Sequence, residues 1–213
     1  MIAPLGEIAA TFSYQTTNPE TNALTGTINT PVNISAGATQ TFVMTITPTA
    51  PYPPFQMRFG FSCSNANAAP TFFGTNTLQY SASTTPVPYI VAEAATDTDD
   101  GIMHLVGGVG AFAVAAVNIG ASGSITVAPN TGSASLPLAL SICETTPSTG
   151  LCMATPSSSV TTMIATDQTP TFAIFGNASG NIPLLPQTNR VFVDFSDSTG
   201  AVRGETSVAV ETQ

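Results

Sequence analysis

The sequence predicts an all-β protein made of two tandem antiparallel β-sandwich units, and three observations carry that prediction. Apolar residues recur with a period of two along most of the chain, 17 Gly and 17 Pro punctuate the runs between, and no window sustains the 3.6-residue period of an amphipathic helix. Length bears on the number of units: 213 residues suffice for one large or two ordinary domains.

The first run, EIAATFSYQ, puts Ile8, Ala10, Phe12 and Tyr14 on one face of a strand and Ala9, Thr11, Ser13 and Gln15 on the other. The same alternation follows in TFVMTIT (41–47), FQMRFGFS (55–62) and NTLQYSA (76–82). Beyond it come YIVAEAA (89–95), AFAVAAV (111–117), SLPLALSI (135–142), TFAIF (171–175), RVFVDF (190–195) and SVAVE (207–211). Prolines in APYPP (50–54) and TTPVP (84–88) are expected between strands, where a missing N–H removes no ladder bond. DFSDSTGAVRGE (194–205) predicts a hairpin, with Asp197, Ser198 and Gly200 as turn residues.

An internal repeat supports two units. SAGATQTFVMTITPTAPYPPFQMRFGFSC (35–63) and NIGASGSITVAPNTGSASLPLALSIC (118–143) share one order of features: Gly-Ala, polar spacer, strand, Pro, polar linker, Pro, strand, Cys. The predicted boundary lies in TTPVP, giving units 1–86 and 87–213. Short strands with a turn signal every 8 to 12 residues fit immunoglobulin-like sandwiches of about 100 residues, although the tryptophan of antibody domains is absent.

The stretches GASGSITVAPNTGSASLPLALSIC and NRVFVDFSDSTGAVRGETSVAV resemble tandem Ig-like repeat modules of large secreted bacterial surface proteins. The resemblance covers most of residues 35–213 and rests on β patterning and composition. It implies an extracellular, non-enzymatic setting and assigns no functional residue.

Charge narrows the partners. Twelve acidic residues face three arginines, Arg58, Arg190 and Arg203, and there is no lysine, so the net charge is −9. Such a chain repels phosphate backbones and anionic membrane surfaces, which excludes nucleic acid as a partner. The longest weakly charged stretch, 101–128, is broken by Gly, Asn and Ser and lacks the roughly 20 consecutive apolar residues of a membrane helix. Without lysine, no covalent link through a Lys side chain can form, whether by sortase or as an internal isopeptide bond, so a polymer of this chain is expected to be held non-covalently or by disulfide. The N-terminal MIAPLGEIAATFSYQ has no basic n-region and no apolar h-region; it reads as a mature start or as a piece of a larger chain.

Reactive groups are few. Cys143 and Cys152 are spaced too widely for a zinc knuckle or a redox pair and suit a disulfide closing a hairpin around ETTPSTGL, in an oxidising compartment. Cys63 is then left over and reads as a small buried residue at a strand end. Asp97, Asp99 and Asp100 in ATDTDDG gather carboxylates that could coordinate Ca²⁺, but they miss the EF-hand register and suit a solvated turn. No other cofactor is expected. His104, the one histidine, reads as a strand residue, and no nucleophile motif accompanies it.

The expectation for function is a non-enzymatic extracellular or cell-surface structural protein, a subunit or module of a fibre, surface layer or adhesin stalk. Its partners are further copies or other surface-protein domains, joined by β-strand addition. The face Ile8, Ala10, Phe12, Tyr14 is the candidate assembly strand. The alternative class is a carbohydrate- or ligand-binding module using Tyr52, Phe55, Phe72, Phe73 and Tyr89, loop-proximal rings that would have to stand exposed and coplanar.

Overall fold

A computed structural model describes residues 1–213, and every regular element in it is a β-strand. The chain divides into two compact units, Met1–Thr84 and Thr85–Gln213.

The first unit holds β1 (Ile2–Pro4), β2 (Ala10–Thr17), β3 (Thr41–Pro48), β4 (Tyr52–Phe61) and β5 (Thr77–Ala82). They form a three-stranded sheet ordered β1-β4-β5 and a two-stranded sheet β2-β3, all antiparallel. Met57, Phe59 and Tyr80 form the buried centre, and Ile8, Ala10, Phe12, Ile46, Tyr52 and Phe55 pack partly against it. Pro53 and Pro54 lie inside β4, not between strands as the sequence led us to expect. The ladder to β5 shifts register between Tyr52 and Phe55, and this bulge is what admits two residues that lack an N–H.

The second unit holds β6 (Ile90–Ala95), β7 (Ile102–Leu105), β8 (Val109–Asn118), β9 (Gly123–Asn130), β10 (Leu138–Thr145), β11 (Val160–Ile164), β12 (Thr171–Ala178), β13 (Arg190–Asp197) and β14 (Val202–Thr212). One sheet is ordered β10-β12-β8-β6 and the other β11-β9-β13-β14-β7. Their inner faces meet in one core, to which Phe112, Val114, Ile142, Phe172 and Ile174 come from the first sheet and Ile125, Val193, Phe195, Val208 and Val210 from the second. Phe172 and Phe195 meet edge to face across it at 5.7 Å. The unit is not wholly antiparallel, because β7 runs parallel to β14, with Met103 beside Val210. The segment after β7 turns at Gly107 and Gly108, both at positive φ, so that consecutive strands β7 and β8 belong to opposite sheets.

The two repeat segments share a topological feature. In each, the first strand lies in one sheet and the second in another: β3 and then β4 in the first unit, β9 and then β10 in the second. The proline-containing linkers span these changes of sheet.

Candidate functional site: ties, carboxylates and exposed β surface

Cys143 lies on β10 and is bonded to Cys152, with Cα atoms 5.6 Å apart. In register, Cys143 faces Ala173, so the bond stands on the outer side of the sheet, opposite the core-facing pair Ile142 and Ile174. The segment after β10 folds back along the strand's free edge. Met153 N donates to Glu144 O at 2.9 Å, while Ser157 and Ile142 exchange backbone bonds at 2.9 and 2.8 Å. The disulfide therefore holds a short loop over an edge that would otherwise offer unpaired N–H and C=O groups. Cys63 is a free thiol just beyond β4 and is exposed, contrary to the buried position expected for it.

Asp97, Asp99 and Asp100 sit in the turn between β6 and β7 without converging. Asp99 takes a positive φ of 55°, a conformation that Asp tolerates in turns. Asp100 points back to accept from Ile102 N at 2.9 Å and meets His104 Nε2 at 2.9 Å. No group of three or more His, Cys, Asp or Glu side chains gathers as a metal site requires.

His104, on β7, is held between carboxylates from two elements. Nδ1 lies 3.0 Å from Glu211 Oε1 on β14, and the Gln213 amide lies 2.8 Å from the same nitrogen. The hydrogen bond with Asp100 is the main cause that raises the imidazole pKa, against a desolvation that lowers it. The same bond brings the Asp100 carboxyl down to about 2. No Ser, Thr or Cys is bonded to His104, so the cluster can hold a proton and tie two strands, and no nucleophile is poised on it.

A second carboxylate pair lies on the outer side of the five-stranded sheet. Asp194 on β13 is in register with Glu205 on β14, and Asn130 Nδ2 donates to Asp194 Oδ2 at 2.9 Å. Burial pushes the Asp194 carboxyl up, opposed by its hydrogen bonds with Glu205 and Asn130. In the adjoining hairpin, burial also pushes Asp197 up, but bonds from Thr199 and Arg203 outweigh it and hold this carboxyl at about 2.

The candidate assembly strand is built into its own unit. Ile8, Ala10 and Phe12 pack on the Met57–Phe59–Tyr80 centre, Tyr14 is buried, and β2 pairs with β3 along its whole length. The far side of β2 is also occupied, since Thr25 N donates to Thr16 O and Asn29 N to Tyr14 O, both at 2.8 Å. The edge left open in this sheet is that of β3, where Val43 and Met44 are exposed.

Among the rings named for sugar binding, Tyr52 and Phe55 pack at 4.8 Å on each other and turn toward Tyr80. Phe72 is half-buried and Phe73 exposed in the first unit, and Tyr89 in the second unit is half-buried.

Two features escaped sequence reasoning. Asn118, fully buried at the end of β8, donates to Ala121 O and Ile164 O and accepts from Tyr89 N and Gly120 N, at 2.9 to 3.1 Å. All four bonding positions of its amide are used, so it knits three loops together. The other feature is the outer face of the four-stranded sheet. Register places Val91, Glu93 and Ala95 beside the row Val109, Ala111, Ala113, Ala115, Val117, and that row beside Ala173 and Phe175. At one end a shallow depression of about 350 Å³ is lined by Val109, Ala139 and Phe175.

No family model and no curated protein matches the chain. Among solved structures it is similar to BcpA, the major pilin subunit of Bacillus cereus, at 9% identity and a TM-score of 0.37, over 96% of this chain and 65% of that one. The chain thus spans somewhat less than two thirds of the pilin's length, and a likeness at this level says nothing of shared activity. No helix is long and apolar enough to cross a membrane.

Proposed function

We propose that this chain is a non-enzymatic structural protein of the extracellular space or cell surface, a subunit or module of a fibre, layer or stalk that associates through its β surfaces. The observation that carries the reading is the open edge of β3, a strand eight residues long on which Val43 and Met44 are exposed. A long apolar edge without a covering element invites a further strand. The Cys143–Cys152 bond suits an oxidising compartment.

The test is the assembly state of the full chain, measured by light scattering after size exclusion and by electron microscopy over a concentration series. Concentration-dependent oligomers, reduced by Val43→Lys on the β3 edge, are expected. A strictly monomeric chain at every concentration overturns the proposal.

A further inference from the structure

The geometry points to the outer face of the β10-β12-β8-β6 sheet as a second association surface, on which the same sheet of another copy of this chain stacks face to face. This inference rests on the self-association proposed above and names a surface distinct from the β3 edge.

On most antiparallel sheets the side turned away from the core is polar. Here Ala111, Ala113 and Ala115 project outward from β8 and are exposed, while Phe112, Val114 and Ala116 fill the core side of the same strand. Val91 and Val109 stand 48% and 58% exposed on the same surface, and Glu93 is its one charged side chain. An exposed apolar patch of this kind marks an interaction site.

Three properties select a second copy as the occupant. The first is relief. Alanines along the centre leave the surface flat, so its complement is another flat sheet, and stacked sheets approach to about 10 Å. The second is area. The disulfide loop stands over the outer side of β10, where Cys143 and Thr145 are buried, so the open face is that of β6, β8 and β12: three strands about 4.8 Å apart and about eight residues long at about 3.3 Å each, about 400 Å². Two copies would together cover about 800 Å², the size of a weak, reversible contact that many copies in a polymer would add up, not of a permanent dimer. The third is charge. Copies that each carry −9 repel one another, and this face brings them together where almost no charge resides. Edge addition at β10 is closed off by the disulfide loop.

Sedimentation velocity of the full chain, with Ala113→Glu, Ala113→Lys and a control Met163→Glu on exposed β11, tests the inference, with melting curves confirming that each variant is folded. Both Ala113 variants should weaken self-association by about a hundredfold, since either sign of charge would be buried without a partner, and the control should not. The lysine variant separates burial from simple repulsion, because it lowers the net charge and would otherwise strengthen association. If wild type associates and the Ala113 variants match it, the face is not the interface, while the β3-edge reading stands. If wild type is monomeric, both are overturned. If wild type is monomeric yet sediments with cellulose in an Ala113-dependent way, the face binds polysaccharide and the second-copy inference falls.

Discussion

In the second unit every strand sends at least one buried apolar side chain into a continuous core, from Ile90 on β6 to Val210 on β14, whereas the first unit closes around Met57, Phe59 and Tyr80. The first unit also buries the hydroxyls of Tyr14 and Tyr80 without a hydrogen-bond partner, and burial raises the Tyr80 pKa. Leu24, Ile28, Val32, Ile34, Val43 and Met44 remain exposed there. The alternating strands are of similar quality in both units. What differs is the number of strands available to cover each sheet, and a two-stranded sheet cannot shelter the face of a three-stranded one as fully as five strands shelter four. Alternation makes a strand amphipathic, and only enough partners turn amphipathicity into stability.

This difference predicts unequal mutational costs. Phe172→Ala removes a ring that is 1% exposed and packed on Phe195, so it should destabilise the second unit by about 3–5 kcal/mol. Phe12→Ala, on a half-buried ring of the first unit, should cost about 1–2 kcal/mol, because part of its surface already faces water. Denaturant titrations followed by probes specific to each unit would measure both. Equal costs would mean that the first unit is better packed than its burial implies.

Next in size is the disulfide. Replacing both Cys143 and Cys152 by Ser opens a loop whose ends are nine residues apart, which should cost the second unit about 2–3 kcal/mol and leave the first unit's transition in place. Because the loop covers the β10 edge, the double variant should also aggregate faster at equal stability, a difference that light scattering near the midpoint would resolve. Loss of stability without faster aggregation would show that the loop does not guard the edge.

How far the sequence reveals these contrasts depends on what each residue type reports. Strands such as FQMRFGFS and RVFVDF are legible because large apolar and polar residues alternate. By contrast, β1 is only three residues long, and β11 emerges from a Ser-rich and Thr-rich stretch, so neither announces itself. AFAVAAV is apolar on both sides, and alternation there locates a strand without distinguishing core from surface. For that reason the exposed alanine row became visible only once the neighbouring strands and their register were known. Pro53 and Pro54 argue against a strand by the ordinary rule and lie in one because the bulge excuses them from the ladder. Asn118 looks like any other Asn, since its four bonds come from loops far apart in sequence. The triplet Asp97, Asp99, Asp100 was legible as a turn, but the pairing of Asp100 with His104, and of His104 with Glu211 more than a hundred residues later, requires the parallel β7-β14 register.

That register supplies the smallest effect and the one with a defined pH signature. His104 is drawn toward its charged form by Asp100 and Glu211, so its folded pKa lies above the ordinary value near 6.5. Its contribution is therefore complete below about pH 6.5 and is lost as pH rises through the folded value. Asp100 has the opposite sign: its pKa is lowered to about 2 from 3.8, so its contribution is complete above about pH 4 and is lost as pH falls toward 2. The two overlap between about pH 4 and 6.5, where the tie between the β6–β7 turn, β7 and the end of β14 is strongest. Because these side chains are partly open to solvent, the effect on melting temperature should be well below that of the disulfide, and it should shrink in high salt. His104→Gln keeps a polar group of similar reach but cannot take up the charge. Its deficit against wild type should peak near pH 5 and fade toward pH 8, and a deficit of the same size at both would assign His104 a packing role alone.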